Sequence, residues 1–65
     1  MEIIDYVAAA TIEEGDQILF ENDPIEVQSK VDSVTAIMVK GYSHMSGDNV
    51  VYILDPDVEV GIWTA

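Results

Sequence analysis

The sequence of 65 residues contains no cysteine and no arginine, and its only cations are Lys30 and Lys40. Without cysteine, no disulfide can stabilise the fold, and cysteine usage gives no indication of the redox compartment. So few cations argue against direct nucleic-acid binding, which depends on lysine and arginine at phosphates. No uncharged apolar run approaches the roughly 18 residues of a membrane-spanning helix. The absences therefore leave a small domain without disulfides and without a helical membrane anchor.

Acidic and apolar residues dominate what is present. Thirteen aspartates and glutamates give a formal net charge of −11, and 49% of the residues are apolar. A disordered acidic tail would be poor in apolar residues, so we expect a folded chain with one domain over residues 1–65. A core of this size is marginal, so barrel closure or self-association is expected to contribute stability. The opening residues 1–5 lack the basic and apolar regions of a secretory signal, which favours a cytoplasmic location.

Alternation of apolar and polar residues is the main pattern along the chain. Six segments have strand composition: 3–9, 17–20, 25–31, 34–40, 50–54 and 58–62. In 25–31 and 58–62 the alternation predicts one buried and one solvated face, with Ser29 and Val31 on the same face as Ile25. The segments 34–40 and 50–54 are rich in β-branched residues and could be buried on both faces.

Short turns separate these segments. Thr11 and Glu14 have the spacing of a capping box, and Gly15 follows where a helix would end, so one short helical turn is predicted near residues 11–15. Turn-forming residues also occupy 21–24, 32–33, 46–49 and 55–57. Five or six short strands without a long helix predict an all-β antiparallel fold, either a small barrel or a sandwich.

The order of these signals resembles the opening of SH3-like small β-barrels. A short turn ends in Gly15-Asp16 and leads into a strand, and a second strand begins at residues 24–27. The chain is most similar to the N-terminal barrel of the elongation factor P family, and in size and style to small bacteriophage proteins. The resemblance implies a five- to six-stranded SH3-like antiparallel barrel. The translational role is not implied, because the basic loop of those factors is replaced here by the short acidic junction 31–34.

No residue pattern supports catalysis, a metal or a cofactor. Asp55, Asp57 and Glu59 have the opening spacing of a calcium loop, but Val60 stands where that loop requires glycine. His44 is the only histidine, and the sequence places no nucleophile and orienting carboxylate around it. We therefore expect a protein that is not an enzyme and binds neither a metal nor a cofactor.

The acidic residues are unevenly distributed. Residues 33–47 contain none of them. This segment carries four candidate partner-binding residues: Lys40, Tyr42, His44 and Met45. If the strand alternates, the first three share a face with Ala36 and Met38, and such an acid-free face is typical of a protein contact surface. The alternative is that Tyr42 and Met38 belong to the core.

Trp63 is the fifth candidate partner-binding residue. Alternation with Val60 and Ile62 places it on the outer face, where an exposed tryptophan would anchor an interface. The alternative is that the last strand bends and Trp63 covers the open end of the barrel. The two alternatives differ in whether the side chain contributes to association or to stability.

Three functions are consistent with these features. The first is a non-enzymatic interaction module, of the kind that phages encode, which binds a partner protein or itself. The second is an acidic nucleic-acid mimic, because alternate strand residues lie roughly 6.6–6.8 Å apart and could match every second phosphate. Its candidate surface comprises Glu13, Glu14, Asp16, Asp55, Asp57 and Glu59. The third is a structural part of a larger assembly such as a virion.

Overall fold

Six antiparallel strands form one sheet in the computed structural model, which describes residues 2–64. The strands are β1 (Glu2–Ala8), β2 (Gln17–Phe20), β3 (Asp23–Asp32), β4 (Ile37–Ser43), β5 (Asn49–Leu54) and β6 (Glu59–Thr64). Their spatial order is β1-β6-β2-β3-β4-β5, so the prediction of an all-β antiparallel fold is confirmed. Within residues 2–64 the structure contains no helix of the length and apolarity needed to cross a bilayer.

The predicted barrel closure is wrong. β1 pairs with β6, and β5 pairs with β4. Because β1 and β5 do not pair with each other, the sheet keeps two edges. The sheet is nevertheless strongly bent, and the molecule measures 31 × 24 × 18 Å. A bent open sheet buries its concave side and leaves the backbone of its outermost strands available to other chains.

The concave side of the sheet carries the core. Side chains from β2, β3, β4, β5 and β6 meet there, and Ala9 and Ile12 from the β1–β2 connection pack among them. The core residues are Ala9, Ile12, Ile18, Ile25, Val27, Ile37, Val39, Leu54 and Val60. Because aliphatic side chains dominate, hydrophobic burial is the principal stabilising term.

The helical turn lies earlier than predicted. A single turn of 3-10 helix spans Ala9–Thr11, and Thr11 Oγ1 donates a hydrogen bond back to the Ala8 carbonyl at 2.7 Å instead of capping a later turn. The cap further along is Asp16, whose Oδ2 accepts the Glu13 N–H at 2.8 Å. Gly15 adopts a φ of 91°, which is the left-handed conformation that its position predicted.

A β-bulge in β3 reverses the predicted alternation. The β3–β4 register shifts between Val27 and Ser29, so the residues after the bulge point to the opposite faces. Val31 is therefore exposed, whereas Lys30 turns inward and donates from Nζ to the Ala10 carbonyl at 3.0 Å. The prediction that Ser29 and Val31 share the buried face of Ile25 is wrong for this reason.

β4 and β5 each have one buried and one outward face, so the expectation of burial on both faces is also wrong. In β4, residues 37, 39, 41 and 43 are buried and alternate with partly or fully exposed ones. β4 begins at Ile37 because the Ser33 hydroxyl and N–H both bond to the Ala36 carbonyl and form a tight turn. Within residues 2–64, no second layer covers the outer side of these strands.

Gly41 on β4 lies in close contact with β3. A Cβ at this position would lie 2.6 Å from the Glu26 carbonyl oxygen and closer still to Ile25 Cγ2. No larger residue fits there without moving the backbone of β3. Glycine is therefore required because the bend of the sheet brings neighbouring backbone into the space of a side chain.

Replacing Gly41 tests this bend. We expect Gly41→Ala to lower the free energy of unfolding by about 1–3 kcal/mol, because the added methyl group overlaps backbone that cannot yield locally. Urea denaturation followed by circular dichroism measures the change. Gly61→Ala is the matched control, since its Cβ would meet only side-chain atoms at 3.4 Å or more. Equal losses in the two variants would contradict the argument.

Candidate functional site

The structure places the candidate partner-binding residues of the acid-free segment 33–47 on the outer side of β4 and on the turn that follows it. Lys40 and Tyr42 alternate with buried residues along β4, and both point outward. His44 and Met45 lie in the β4–β5 turn and are exposed. The predicted pleat of this strand is therefore confirmed, and the alternative that Tyr42 belongs to the core is wrong.

His44 joins two aromatic rings at this end of the sheet. Its ring centroid lies 5.2 Å from that of Tyr42 and 5.6 Å from that of Trp63, in edge-to-face geometry on both sides. The His44 N–H donates to the Pro24 carbonyl at 2.9 Å, which fixes the backbone of the turn against β3. Edge-to-face pairs of this kind are favourable, so the cluster holds the turn in one conformation.

Trp63 is a buried residue and not an exposed anchor. Only 7% of its surface is exposed, and its Nε1–H donates to the Ile18 carbonyl at 2.7 Å. The prediction that Trp63 is exposed is therefore wrong, and the alternative that it is buried is correct. Alternation places Trp63 on the side of β6 opposite Val60 and Ile62, but this side is covered too, since Gly61 is buried there beside Ile3 and Leu19.

A polar network closes the concave side next to this cluster. Asp23 accepts one hydrogen bond from the buried Ser43 hydroxyl at 2.6 Å and another from the Tyr52 hydroxyl at 2.7 Å. The hydrogen bond to Asp23 raises the pKa of Tyr52 above its ordinary value of 10.0, and burial and the negative charge of Asp23 act in the same direction. Both carboxylate oxygens of Asp23 thus accept hydrogen bonds from other side chains of the protein.

Apolar side chains that the sequence did not single out extend the outward side of β4. Cross-strand partners align Val31 on β3 with Met38 on β4 and Ile53 on β5, and the next row aligns Lys40 with Val51. Val51 and Ile53 are 55% and 66% exposed. We call this surface the apolar outer face, and its residues are Val31, Met38, Lys40, Tyr42, Val51 and Ile53.

Periodicity could not have identified these additional residues. The bulge that turns Val31 outward leaves no mark in the sequence. Residues 50–54 are apolar at every position, so nothing in the segment distinguishes the outward Val51 and Ile53 from the inward Tyr52. Their exposure depends on β5 being an edge strand, and that follows from the order of strands and not from local composition.

Five of the six acidic candidates lie in two connections. Glu13, Glu14 and Asp16 are in the β1–β2 connection, where Asp16 holds the turn through the Glu13 N–H. Asp55 and Asp57 lie in the β5–β6 turn, and the Asp57 N–H donates to Asp55 Oδ1 at 2.9 Å. Only Glu59 stands on a strand, so the regular strand spacing predicted for Asp55, Asp57 and Glu59 is wrong.

The described part of the chain offers contact surfaces and not an enclosed site. Residues 2–64 enclose no cavity, and among them no three histidines or carboxylates lie close enough to hold a metal ion. Comparison of the sequence and the fold with protein-family models, curated proteins and solved structures finds no match.

The burial of Trp63 gives a direct prediction. Trp63→Ala should lower the free energy of unfolding by about 3–5 kcal/mol, because it removes a large buried side chain and its hydrogen bond to Ile18. Urea denaturation measures this loss. Tyr42→Ala is the control, and it should cost much less because Tyr42 lies on the outer face. An unchanged midpoint for Trp63→Ala would contradict the packing described above.

The Tyr52–Asp23 hydrogen bond predicts a loss of stability at alkaline pH. Since the folded pKa of Tyr52 is raised, its contribution is fully present below its ordinary value of 10.0 and is lost as the pH rises through the folded pKa. Urea denaturation from about pH 8 to about pH 11 should show this decline. Tyr52→Phe should remove this component, whereas Tyr6→Phe, at an exposed tyrosine, should keep it. An identical decline in both variants would contradict the assignment.

Proposed function

We propose that this protein is a non-enzymatic interaction module that binds protein through the apolar outer face. The observation that carries the proposal is the contiguity of outward apolar side chains across three strands, from the exposed Val31 through the half-buried Met38 to the exposed Ile53. Single exposed apolar residues are ordinary on any protein, but a continuous row across neighbouring strands is typical of a contact surface. Lys40 and Tyr42 add a cation and an aromatic ring to the same side of the sheet.

The charge distribution supports this surface as the one that makes contact. Of the thirteen acidic residues, Asp48 is the only one within residues 33–54, the segment that supplies β4 and β5. A partner that approaches β4 and β5 here meets few acidic residues, although Glu26 on β3 lies opposite Tyr42. The acidic connections elsewhere repel other acidic surfaces and favour solubility. Apolar contact at one place and repulsion elsewhere together direct association to the apolar outer face.

The acidic mimic receives less support from the same structure. It requires outward carboxylates at regular spacing along a strand, and Asp55 and Asp57 lie in a turn instead. Asp16 is engaged within its own loop. The remaining candidates, Glu13, Glu14 and Glu59, do not lie along one strand. We therefore treat salt-sensitive binding to basic proteins as the outcome that would overturn the proposal.

A capture experiment with matched variants tests the proposed function. The tagged full chain is incubated with bacterial lysate and washed at low and then at high salt. We expect a captured protein to survive high salt, because apolar contacts are not screened. Val51→Glu should abolish this capture, because it places a charge in the middle of the apolar outer face. Tyr6→Glu is the control, since it makes the same change in charge at an exposed residue of β1.

Two results would contradict the proposal. Capture that is lost at high salt and is unaffected by Val51→Glu would assign binding to the acidic surface. In that case Glu13→Gln and Glu14→Gln should weaken it, and the mimic would become the better explanation. Capture that is lost equally in Val51→Glu and Tyr6→Glu would show that added charge, and not the apolar outer face, is responsible.

A further inference from the structure

The backbone of β5 is open along one side. The Ser43 N–H donates to the Asp48 carbonyl at 2.9 Å, and hydrogen-bonded pairs alternate along an antiparallel ladder. The bonded pairs of β4 with β5 are therefore those of Val50, Tyr52 and Leu54. It follows that the N–H and C=O groups of Val51 and Ile53 point away from β4, toward the edge of the sheet.

The two edges of the sheet differ in how they are protected. β1 has a bulge between Ile3 and Asp5, it carries two acids, and the Tyr6 N–H is already bonded to Asp5 Oδ1 at 2.8 Å. β5, with the sequence NVVYIL, has no bulge in its pairing with β4 and contains no charge, proline or glycine. Bulges and edge charges are the usual means by which proteins prevent strand addition. β1 has these features and β5 does not.

We infer that β5 pairs antiparallel with β5 of a second copy of this chain, which joins two sheets into one continuous sheet. The inference rests on the proposed function and names the partner as the chain itself. A twofold axis at Tyr52 sets Val51 of each copy opposite Ile53 of the other, and Val50 opposite Leu54. Apolar residues then face apolar residues at each of these positions. A register centred on Val51 would instead place Ile53 opposite Asn49.

The distribution of charge favours pairing of two copies through β5 over other arrangements of two copies. Each chain has a net charge of −11, so two copies repel wherever their acidic connections meet. Residues 49–54 contain no charge, and they form the edge at which two copies can approach. The pairing also closes on itself, since the same strand serves both copies, whereas β5 on β1 would continue into a fibre. The apolar outer faces of the two copies become continuous across the new pair.

Sedimentation equilibrium of the full chain tests the inference. We expect a mass of two chains at sufficient protein concentration, and a dimer dissociation constant that falls as salt rises, because salt screens the mutual repulsion. Ile53→Glu should raise this constant at least about tenfold, since it places a carboxylate opposite Val51 of the other copy. Ile4→Glu is the matched control at the β1 edge, since Ile4 is 61% exposed and Ile53 is 66% exposed. Circular dichroism tests whether both variants are folded.

Cysteine cross-linking tests the pairing of β5 independently, in case Ile53→Glu does not fold. The chain has no cysteine, so Tyr52→Cys introduces one thiol per copy. At the twofold axis the two Cα atoms would lie about 4.5 Å apart, within the range of a disulfide. Mild oxidation should therefore give a covalent dimer. Val50→Cys should not cross-link, because its opposite residue in this register is Leu54.

Three outcomes would overturn the inference. The first is a single-chain mass at every concentration. The second is a dimer abolished by Ile4→Glu or unaffected by Ile53→Glu. The third is cross-linking of Val50→Cys without that of Tyr52→Cys. A single-chain protein whose lysate capture still depends on Val51 would refute self-pairing and leave the proposed function intact. If the protein dimerises but captures no protein that survives high salt, binding to other proteins is refuted and the self-pairing of β5 stands.

Discussion

The bend of the sheet at Gly41 is the constraint on which the rest of this structure depends. Residues 2–64 form one sheet with no α-helix to cover it, so the sheet can bury a core only by curving over its own concave side. The curvature brings the backbone of Glu26 and the side chain of Ile25 into the space that a side chain at position 41 would need. Glycine on β4 and the bulge after Val27 on β3 provide this curvature together.

The same curvature determines which side chains lie on the outer side of the sheet. After the bulge, Lys30 turns inward and reaches the Ala10 carbonyl, while Val31 takes the outward position beside Met38. The concave side is sealed by polar contacts as well as by aliphatic packing, since Asp23 accepts hydrogen bonds from Ser43 and Tyr52. In the described part of the chain every buried polar side-chain atom has a partner. The exposed apolar side chains of β3, β4 and β5 lie on the opposite, outward side of the sheet.

Sequence periodicity predicted the fold class and most strand positions, because local alternation is a direct consequence of one face being buried. β2 was predicted at its observed bounds, and the outward pleat of Lys40 and Tyr42 was correct. The errors share one cause, which is that they depend on contacts between distant segments. Trp63 is buried because the Ile18 carbonyl, 45 residues away in sequence, accepts its Nε1–H. The exposure of Ile53 likewise depends on strand order, which alternation does not specify.

Stability and association are coupled in a chain of this kind. A 65-residue domain buries only roughly 60% of its unfolded surface, and here one side of the sheet contributes almost the whole core. Self-repulsion from a net charge of −11 weakens the compact state further. Any partner that covers Val51 and Ile53 binds only the folded chain, because these residues form one surface only when β5 is paired with β4. Association at the apolar outer face therefore adds directly to the free energy of folding. Because this self-repulsion lowers the stability of the isolated chain, the association proposed at the apolar outer face would contribute a larger share of the total stability.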